Sequence, residues 1–179
     1  MAAPPTVTPS NLTGTYSLNK KLSDSMDAVL KMQGVGWLVR QAAAYSAISV
    51  SMKQYERDGK VCLDVEQVST GGLKSEEERV LDWEWREKDD RIWGKVKGKA
   101  RMIKLSELEQ DEYLTSGWTQ DCLEGEVIEM LVESRTDTWT ADQVWGMAEV
   151  NGERRQVRRI VAKKGDKVHR ISIVYDWIA

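Results

Sequence analysis

Two-residue turn sequences constrain the fold of this chain more than any other feature. Asp58-Gly59 and Asn151-Gly152 each separate two segments in which apolar and polar residues alternate. Asp-Gly and Asn-Gly pairs are preferred in two-residue hairpin turns because both turn positions need a positive φ. Asp89-Asp90 and Gly165-Asp166 are weaker signals of the same kind. Four hairpins predict an antiparallel meander, so most of the chain after Ser46 is predicted to form strands.

The segment before the first hairpin has a different pattern. Residues 14–20 alternate like a strand, and Ser23 or Asp24 can cap a helix in which apolar residues recur at helical spacing. Two glycines interrupt that pattern before a second short helix. The sequence therefore predicts a helix-turn-helix between the first two strands, and a further short helix and loop inserted at residues 105–125.

Composition indicates one globular domain. The chain has 179 residues, of which 41% are hydrophobic and 31% charged, so it can build a core and is unlike a disordered chain. The first ten residues contain all three prolines and have no charged or apolar leader. Residues 1–10 are predicted to be a disordered tail, and residues 11–179 a single β-barrel domain. No apolar run approaches the ~20 residues of a membrane span, so a cytoplasmic location is expected.

Charge and metal-ligand counts exclude several classes of function. The 26 basic and 29 acidic residues give a net charge of −3, which argues against a nucleic-acid partner. The single His and the distant pair Cys62 and Cys122 offer no zinc spacing. No metal and no cofactor are therefore expected. The expected partner is a small hydrophobic ligand or substrate, bound by a monomer or a weak homodimer.

The predicted turns assign residues to the two faces of the sheet, because directly opposed residues share a face. A turn at Asp58-Gly59 places Lys53 opposite Asp64, with Met52 on the other face. A turn at Asp89-Asp90 places Trp83 and Trp85 on the face opposite a row of paired charges. Both registers predict charged residues facing water and apolar residues facing inward.

The last three strands have two mixed faces. One face mixes large apolar residues with polar ones: Gln143, Trp145, Met147, Gln156, Arg158, Ile160, His169, Ile171, Ile173, Tyr175 and Trp177. The other is smaller and more uniformly apolar: Val144, Gly146, Ala148, Val157, Arg159, Val161, Arg170 and Val174. Buried polar groups need partners, so the first face suits a barrel interior that holds water and a ligand. The alternative, in which the second face is the core, stays open.

Several segments resemble the calycins, meaning the lipocalins and especially the intracellular fatty-acid-binding proteins. Residues 11–16 (NLTGTY) resemble the opening G-x-W strand of that family, with Tyr16 in place of Trp. Residues 23–40, including the G-V-G turn at Gly34, are similar to the helix-turn-helix that closes the barrel mouth. The turn at Gly165 resembles the final hairpin. The resemblance implies a closed antiparallel up-and-down β-barrel.

The chain as a whole resembles a group of fungal lipocalin-like proteins of similar length. The shared motifs are K-Q-Y at Lys53, L-D-W at Leu81, G-K-V-K-G at Gly94 and V-Y-D-W at Val174. One departure from the fatty-acid-binding proteins concerns the ligand carboxylate, which they hold with an Arg two residues before a Tyr in the last strand.

Ile173 occupies that position before Tyr175 in this chain. The predicted register places Arg158 directly opposite Ile173, where it can supply the missing charge. The candidate ligand-binding residues are Met52, Gln67, Trp83, Trp85, Gln143, Trp145, Met147, Gln156, Arg158, His169, Ile171, Ile173 and Tyr175. No catalytic residue is assigned.

Three functions remain open at this point. The first is binding of a small hydrophobic molecule, such as a lipid, terpenoid or polyketide, inside the barrel. The second is a cofactor-free isomerase or pericyclase, resembling the calycin-type proteins that fold a polyene for cyclisation. Such an enzyme needs only a shaped site and one or two hydrogen-bond donors, so no motif would reveal it. The third is an interaction module that uses the insertion at residues 105–125.

Overall fold

A computed structural model of the chain describes residues 1–72, 74–109 and 111–179. The strands are β1 (Gly14–Leu18), β2 (Ile48–Arg57), β3 (Lys60–Ser69), β4 (Lys74–Val80), β5 (Arg86–Asp90), β6 (Gly94–Ile103), β7 (Val127–Ser134), β8 (Thr140–Val150), β9 (Glu153–Lys164) and β10 (Lys167–Trp177). They form one antiparallel sheet of ten strands in the order β4-β3-β2-β1-β10-β9-β8-β7-β6-β5. Among the described residues, consecutive strands pair except β4 and β5, which end the strand order on either side, and β1 joins the two halves by pairing with β10. The prediction of an all-β antiparallel sheet is confirmed.

Short helices lie in two of the connections. Helices α1 (Asp27–Met32) and α2 (Trp37–Tyr45) lie between β1 and β2. A 3-10 helix (Leu105–Glu107), α3 (Glu112–Thr115) and α4 (Gln120–Glu124) form the segment between β6 and β7. In the described part of the chain, no helix has the length and apolar character needed to cross a membrane.

Ser23 and Asp24 do not cap the first helix, which begins after Met26. Instead, the Ser23 hydroxyl accepts a hydrogen bond from the N–H of Val174 at 2.9 Å, and the Asp24 carboxylate accepts one from the N–H of Ser172 at 2.8 Å. The two side chains satisfy the exposed backbone of β10 just beyond its pairing with β1. Polar residues that can cap a helix can equally bind free strand N–H groups, which is why the prediction was wrong.

Three of the four predicted hairpin registers are confirmed. Lys53 pairs with Asp64 across the Asp58-Gly59 turn, whose residues have φ values of 53° and 72°. The turns at 151–152 and 165–166 also have the predicted register. Arg158 consequently lies opposite both Ile173 and Trp145.

The fourth register, with a turn at Asp89-Asp90, is wrong. Strand β5 continues to Asp90, which pairs with Gly94. The Asp90 carboxylate accepts hydrogen bonds from the N–H groups of Ile92 (2.8 Å) and Trp93 (3.2 Å), and Gly94 has a φ of 70°. An Asp that closes a turn through its side chain and a glycine with positive φ move the turn to residues 91–93.

The sheet is strongly curved. The Arg79 guanidinium on β4 lies 5.6 Å from the centre of the Trp145 ring on β8, although five strands separate β4 from β8 in the sheet order. Beyond the end of β4, Asp82 forms an isolated β-bridge with Arg101, and the N–H of Trp83 donates to the carbonyl of Ala100 at 2.8 Å. We call the concave side, which carries Trp145, the inner face.

Other side chains cover the convex side of the sheet at β8 and β9. The Trp118 ring packs so closely on Gly146 that a Cβ atom there would lie 2.9 Å from the ring. Val144, Val157 and Val161 are buried on the same side. Both sides of these strands are therefore buried, which explains why neither has the polar pattern of an exposed face.

The first ten residues differ from the expected disordered tail, because they pack against β9 and β10. Ala3 and Val7 are buried. The N–H of Ala3 donates to the Arg154 carbonyl at 2.7 Å, and the N–H of Trp177 donates to the Met1 carbonyl at 3.1 Å. Two apolar side chains and these backbone hydrogen bonds are sufficient to hold a short proline-containing segment against the sheet.

Candidate functional site

Most of the predicted ligand-binding residues lie on the inner face. Their shared side follows from the pairing, since directly opposed residues point to the same side. They are Met52, Gln67, Gln143, Trp145, Met147, Gln156, Arg158, His169, Ile171, Ile173 and Tyr175. The aromatic, sulfur-containing and aliphatic members form apolar walls around a few polar side chains, as is typical of sites for small molecules.

The structure does not bring Trp83 and Trp85 to the inner face. The Lys99 ammonium lies 4.0 Å from the centre of the Trp83 ring and 4.7 Å from that of Trp85. Lys99 lies next to Ala100 in β6 and points to the opposite, convex side. Trp83 also has a φ of 63°, outside the strand region. The misplaced turn at residues 89–90 caused this error.

Arg158 is the central residue of the inner face. Its guanidinium carbon lies 3.5 Å from the centre of the Trp145 ring and 4.5 Å from that of Tyr175. Both rings attract the cation through their π-systems. Its Nε and Nη2 atoms are buried and have no hydrogen-bond partner among the described residues. Two strong donors on the inner face are therefore unpaired.

Burial lowers the pKa of Arg158 below its ordinary value, and the positive charge of Arg79 acts in the same direction. Tyr175 and Glu77 oppose the shift. An arginine remains protonated in proteins even so, because its ordinary pKa exceeds about 12. The inner face consequently holds a desolvated cation, which costs several kcal/mol unless a partner offsets it.

Two glutamines add polar groups beside this cation. The indole N–H of Trp145 donates to Gln143 Oε1 at 3.0 Å, which fixes the ring that supports Arg158. Gln156 is fully buried, and its Oε1 has no hydrogen-bond partner within the described chain. The site thus presents unused donors on Arg158 and an unused acceptor on Gln156.

The sequence did not reveal the charged residues that β4 and β5 bring to the inner face. Glu77 forms an ion pair with Arg79 and lies 3.2 Å from the Lys88 ammonium, which is 3.3 Å from Asp90. The register opposes Val65 to Glu77 and so places these residues inside. A two-residue turn at Gly71-Gly72 would have paired Val65 with Glu78 and placed Glu77 on the convex face, so the turn sequence alone could not have found them.

Helix α1 lies across one end of the sheet. The indole N–H of Trp93, in the β5–β6 turn, donates to Gln33 Oε1 at 2.8 Å. The Lys164 ammonium, beside the β9–β10 turn, donates to the Met32 carbonyl at 3.5 Å. These contacts connect the end of α1 to two turns at the same end of the sheet, so α1 lies at that end of the inner face.

A separate cleft of about 360 Å³ lies on the surface near the ends of β1 and α2. Its lining is Leu18, Asn19, Lys20, Lys21, Tyr45, Ala47 and Asp176. The polar groups there already have partners, since Lys20 donates to the Ala44 carbonyl at 2.6 Å and Asn19 to Asp176 at 2.8 Å. The inner face, with its unused donors, is the stronger candidate.

Comparison with known proteins places the chain among fungal enzymes. No protein-family model matches it. It is 31% identical over 182 residues to Pericyclase pydY of Acremonium sp, covering 99% of this chain and 97% of that protein. It is 32% identical over 181 residues to Probable pericyclase scpY of Mollisia scopiformis, covering 99% of this chain and 95% of that protein. The chain belongs to this family of fungal pericyclases.

Solved structures of other proteins have the same fold as this pericyclase-family chain. The fatty-acid-binding protein 1 of Echinococcus granulosus aligns with a TM-score of 0.58 at 14% identity, over 94% of this chain and 98% of that one. A Schistosoma mansoni fatty-acid-binding protein in complex with arachidonic acid aligns with a TM-score of 0.56 at 15% identity, over 93% and 96%. At such identities the likeness shows the fold alone. The calycin resemblance seen in the sequence is confirmed.

The inner face of this pericyclase-family protein can offer hydrogen bonds and a defined shape to a bound molecule. In the described part of the chain, no group of three or more His, Cys, Asp and Glu side chains is placed to hold a metal ion. The inner face offers aromatic and aliphatic walls, and cationic donors that can polarise an oxygen of a bound molecule.

Proposed function

We propose that this chain is a cofactor-independent pericyclase that folds an unsaturated, largely apolar substrate against the inner face. A pericyclic reaction moves electrons around a ring of reacting atoms, with no leaving group. The protein has to hold the chain in a reactive conformation, which is an entropic contribution, and to polarise a group conjugated with the reacting atoms. The observation that carries the proposal is Arg158, a buried cation with unused donors on an aromatic platform, in a chain of this family.

The sheet closes into a barrel around the substrate in this proposal. The Asp82–Arg101 bridge and the ion pair of Lys88 with Glu77 support closure, because both connect the β4 side of the sheet to the β5–β6 side. Met52, Met147 and Ile173 would form part of the apolar wall. Closure excludes water, and exclusion of water strengthens the hydrogen bonds that Arg158 makes.

Arg158 donates to a substrate oxygen in this mechanism, while Tyr175 borders the same oxygen. A carbonyl that accepts from a cation withdraws more electron density from a conjugated double bond, which lowers the barrier to cyclisation. Trp145 keeps the guanidinium in place through its stacked ring, and Gln143 keeps Trp145 in place. Gln156 offers its Oε1 atom to a donor of the substrate or to water.

A linear trienone that cyclises slowly by an intramolecular Diels–Alder reaction tests the proposal. We expect the protein to accelerate cyclisation and to change the ratio of stereoisomers. Arg158→Met keeps the length of the side chain and removes its charge. The transition state should lose about 1–3 kcal/mol of stabilisation, and the rate per folded molecule should fall accordingly.

Arg159→Met is the matched control, because its side chain points to the convex side and donates to the carbonyls of Tyr113 and Gly117. It should leave the rate per folded molecule unchanged. A wild-type protein that neither accelerates the trienone nor changes its products would contradict the proposal, as would an Arg158→Met variant with the full rate.

Transport or storage of an apolar molecule is the second candidate, and the fatty-acid-binding-protein fold favours it. A carrier releases its ligand unchanged. Mass spectrometry of an organic extract of the purified protein, before and after incubation with the trienone, separates the two functions. Recovery of bound, unconverted trienone would favour the carrier.

A further inference from the structure

Two guanidinium groups share one aromatic ring on the inner face. Arg158 stacks on Trp145 at 3.5 Å, and Arg79 lies 5.6 Å from the centre of the same ring. The two arginines come from β9 and β4, which are far apart in the sheet order and meet because the sheet curves. Like charges raise each other's energy where water is scarce, so the arrangement needs a reason.

The charges around this ring do not balance. Arg79, Lys88 and Arg158 are cations, and Glu77 and Asp90 are the carboxylates among them. Burial raises the pKa of Glu77, but the charges of Arg79 and Lys88 outweigh burial, so its pKa is below the ordinary value. Glu77 is therefore ionised at neutral pH, and within the described residues of this cluster one positive charge is left over.

Three buried hydrogen-bond donors in this cluster also lack a partner among the described residues. Arg158 has two such nitrogens, Nε and Nη2, and Arg79 has a buried Nε without a partner. A single carbonyl oxygen has two lone pairs and cannot accept from all three nitrogens on two different side chains. A head group with at least two oxygens can.

We propose that Arg79 is a second binding residue for the head group, and that the molecule bound here carries one negative charge spread over two or more oxygens. An ionised enol of a dicarbonyl compound and a carboxylate both have this chemistry. The inference rests on the proposed function, because it specifies the substrate of the same site. It also gives a role to Glu77, which positions Arg79 through their ion pair.

Two pairs of probes test the inference, with dissociation constants measured by isothermal titration calorimetry and tryptophan fluorescence. The first pair is an alkyl hydroxypyrone, whose ionised enol spreads its charge over two oxygens, and its methyl ether. The second pair is a carboxylic acid with the same alkyl chain and its methyl ester. We expect at least one anion to bind about tenfold or more tightly than its neutral partner, a difference typical of one charged hydrogen bond. The pair that shows the difference identifies the head group.

The variants are chosen so that a merely structural role gives a different result. Arg79→Met should abolish the preference for the anion. Glu77→Gln removes a negative charge from the cluster but keeps an amide oxygen that can still accept from Arg79, so it should strengthen anion binding. Arg79→Gln removes the same charge and keeps a side chain that can hydrogen-bond Glu77, so it replaces Arg79→Met if that variant does not fold. Arg57→Met, which removes a cation paired with Glu78 on the convex side, should keep the preference.

Equal binding of anions and neutral partners by the wild-type protein would overturn the inference, as would a preference that survives loss of Arg79. If the protein still converts the neutral trienone in that case, the proposed function stands without the anionic head group. If no probe binds and the trienone is not converted, both proposals fail.

Discussion

Arg158 and Arg159 are neighbours in the sequence and have opposite surroundings. Arg159 donates to two backbone carbonyls, those of Tyr113 at 3.2 Å and Gly117 at 3.3 Å, and its guanidinium lies 4.7 Å from the centre of the Trp118 ring. Arg158 stacks on rings but leaves two nitrogens unpaired. The fold provides hydrogen-bond acceptors for Arg159 and leaves two nitrogens of Arg158 without one among the described residues.

The difference predicts opposite effects on stability. Arg158→Met should leave the free energy of unfolding unchanged or increase it, because it removes a buried charge that lacks a partner. Arg159→Met should lower it by about 1–2 kcal/mol, because two hydrogen bonds to backbone carbonyls and the contact with the Trp118 ring are lost. Urea denaturation followed by fluorescence measures both. A large loss of stability in Arg158→Met alone would show that Arg158 is structural.

Gln156 gives a second test at this scale. Its buried Oε1 has no partner in the described chain, so Gln156→Met should leave stability unchanged or raise it by about 1 kcal/mol. Gln54→Met is the control, since Gln54 accepts from the N–H of Leu12 at 3.0 Å and donates to the Pro9 carbonyl at 3.2 Å. The control should lose about 1–2 kcal/mol in thermal or urea unfolding. Equal losses in both would contradict the assignment of Gln156 to a ligand.

Among the elements, the segment between β6 and β7 is part of the folded core. Leu114 of α3 and Cys122 of α4 are buried, and the indole N–H of Trp118 donates to the Leu114 carbonyl at 2.8 Å. The apolar side chains of the segment therefore face β8 and β9. Its main contribution is to cover the convex side of the sheet.

Two leucines of that segment should respond differently to truncation. Leu114 is 1% exposed and Leu123 is 53% exposed. Leu114→Ala should cost about 2–4 kcal/mol in the free energy of unfolding, as for other buried leucines, and Leu123→Ala less than about 0.5 kcal/mol. Chemical denaturation of both variants gives the comparison. Similar small effects in both would mean that the segment detaches from the sheet in solution.

The two hairpins with an unambiguous turn were predictable, and of the two weaker signals Gly165-Asp166 was correct and Asp89-Asp90 was wrong. Asn151-Gly152 fixes the pairing of β8 with β9 and therefore the inward direction of Arg158. The β5–β6 turn depends on hydrogen bonds from the N–H groups of Ile92 and Trp93 to the Asp90 side chain. In the sequence, two adjacent aspartates are equally compatible with a turn at their own positions and with a turn that follows them.

The remaining part of the site depends on the curvature of the whole sheet. Arg79 contacts Trp145 although their strands are distant in the sequence, and no local pattern in the sequence indicates this contact. The segment around Arg79 reads as a solvated strand, since it has three glutamates in a row. Local alternation predicted the inner face of β8 to β10, but not which strand would face it across the interior.

At the scale of the whole molecule, two aspartates should change the pH dependence of stability in opposite directions. Hydrogen bonds from Arg154 lower the pKa of Asp121, so this residue stabilises the fold above its unfolded pKa, roughly 4, and the stabilisation is lost as the pH falls. Burial raises the pKa of Asp142, with Lys163 opposing it, so ionised Asp142 destabilises the fold above the same pH.

Asp121→Asn should therefore unfold more easily than the wild type at neutral pH, and Asp142→Asn less easily. The Asp142→Asn difference should vanish below roughly pH 4, and the Asp121→Asn difference should shrink from roughly pH 4 downward and vanish only below the lowered pKa of folded Asp121. Melting temperatures measured from acidic to neutral pH test this. A change of the same sign in both variants at neutral pH would contradict it.

The pairing of β1 with β10 brings the two ends of the chain together. The Met1 carbonyl accepts from the N–H of Trp177 at 3.1 Å, and the Ala179 carbonyl accepts from the N–H of Thr15 at 2.7 Å. A short peptide linker can join Ala179 to Met1, with new termini opened at the exposed Asp58-Gly59 turn. Such a circular permutant would keep every strand pair and make β3 the first strand of the chain, so the order in which strands are synthesised can be altered without altering the site.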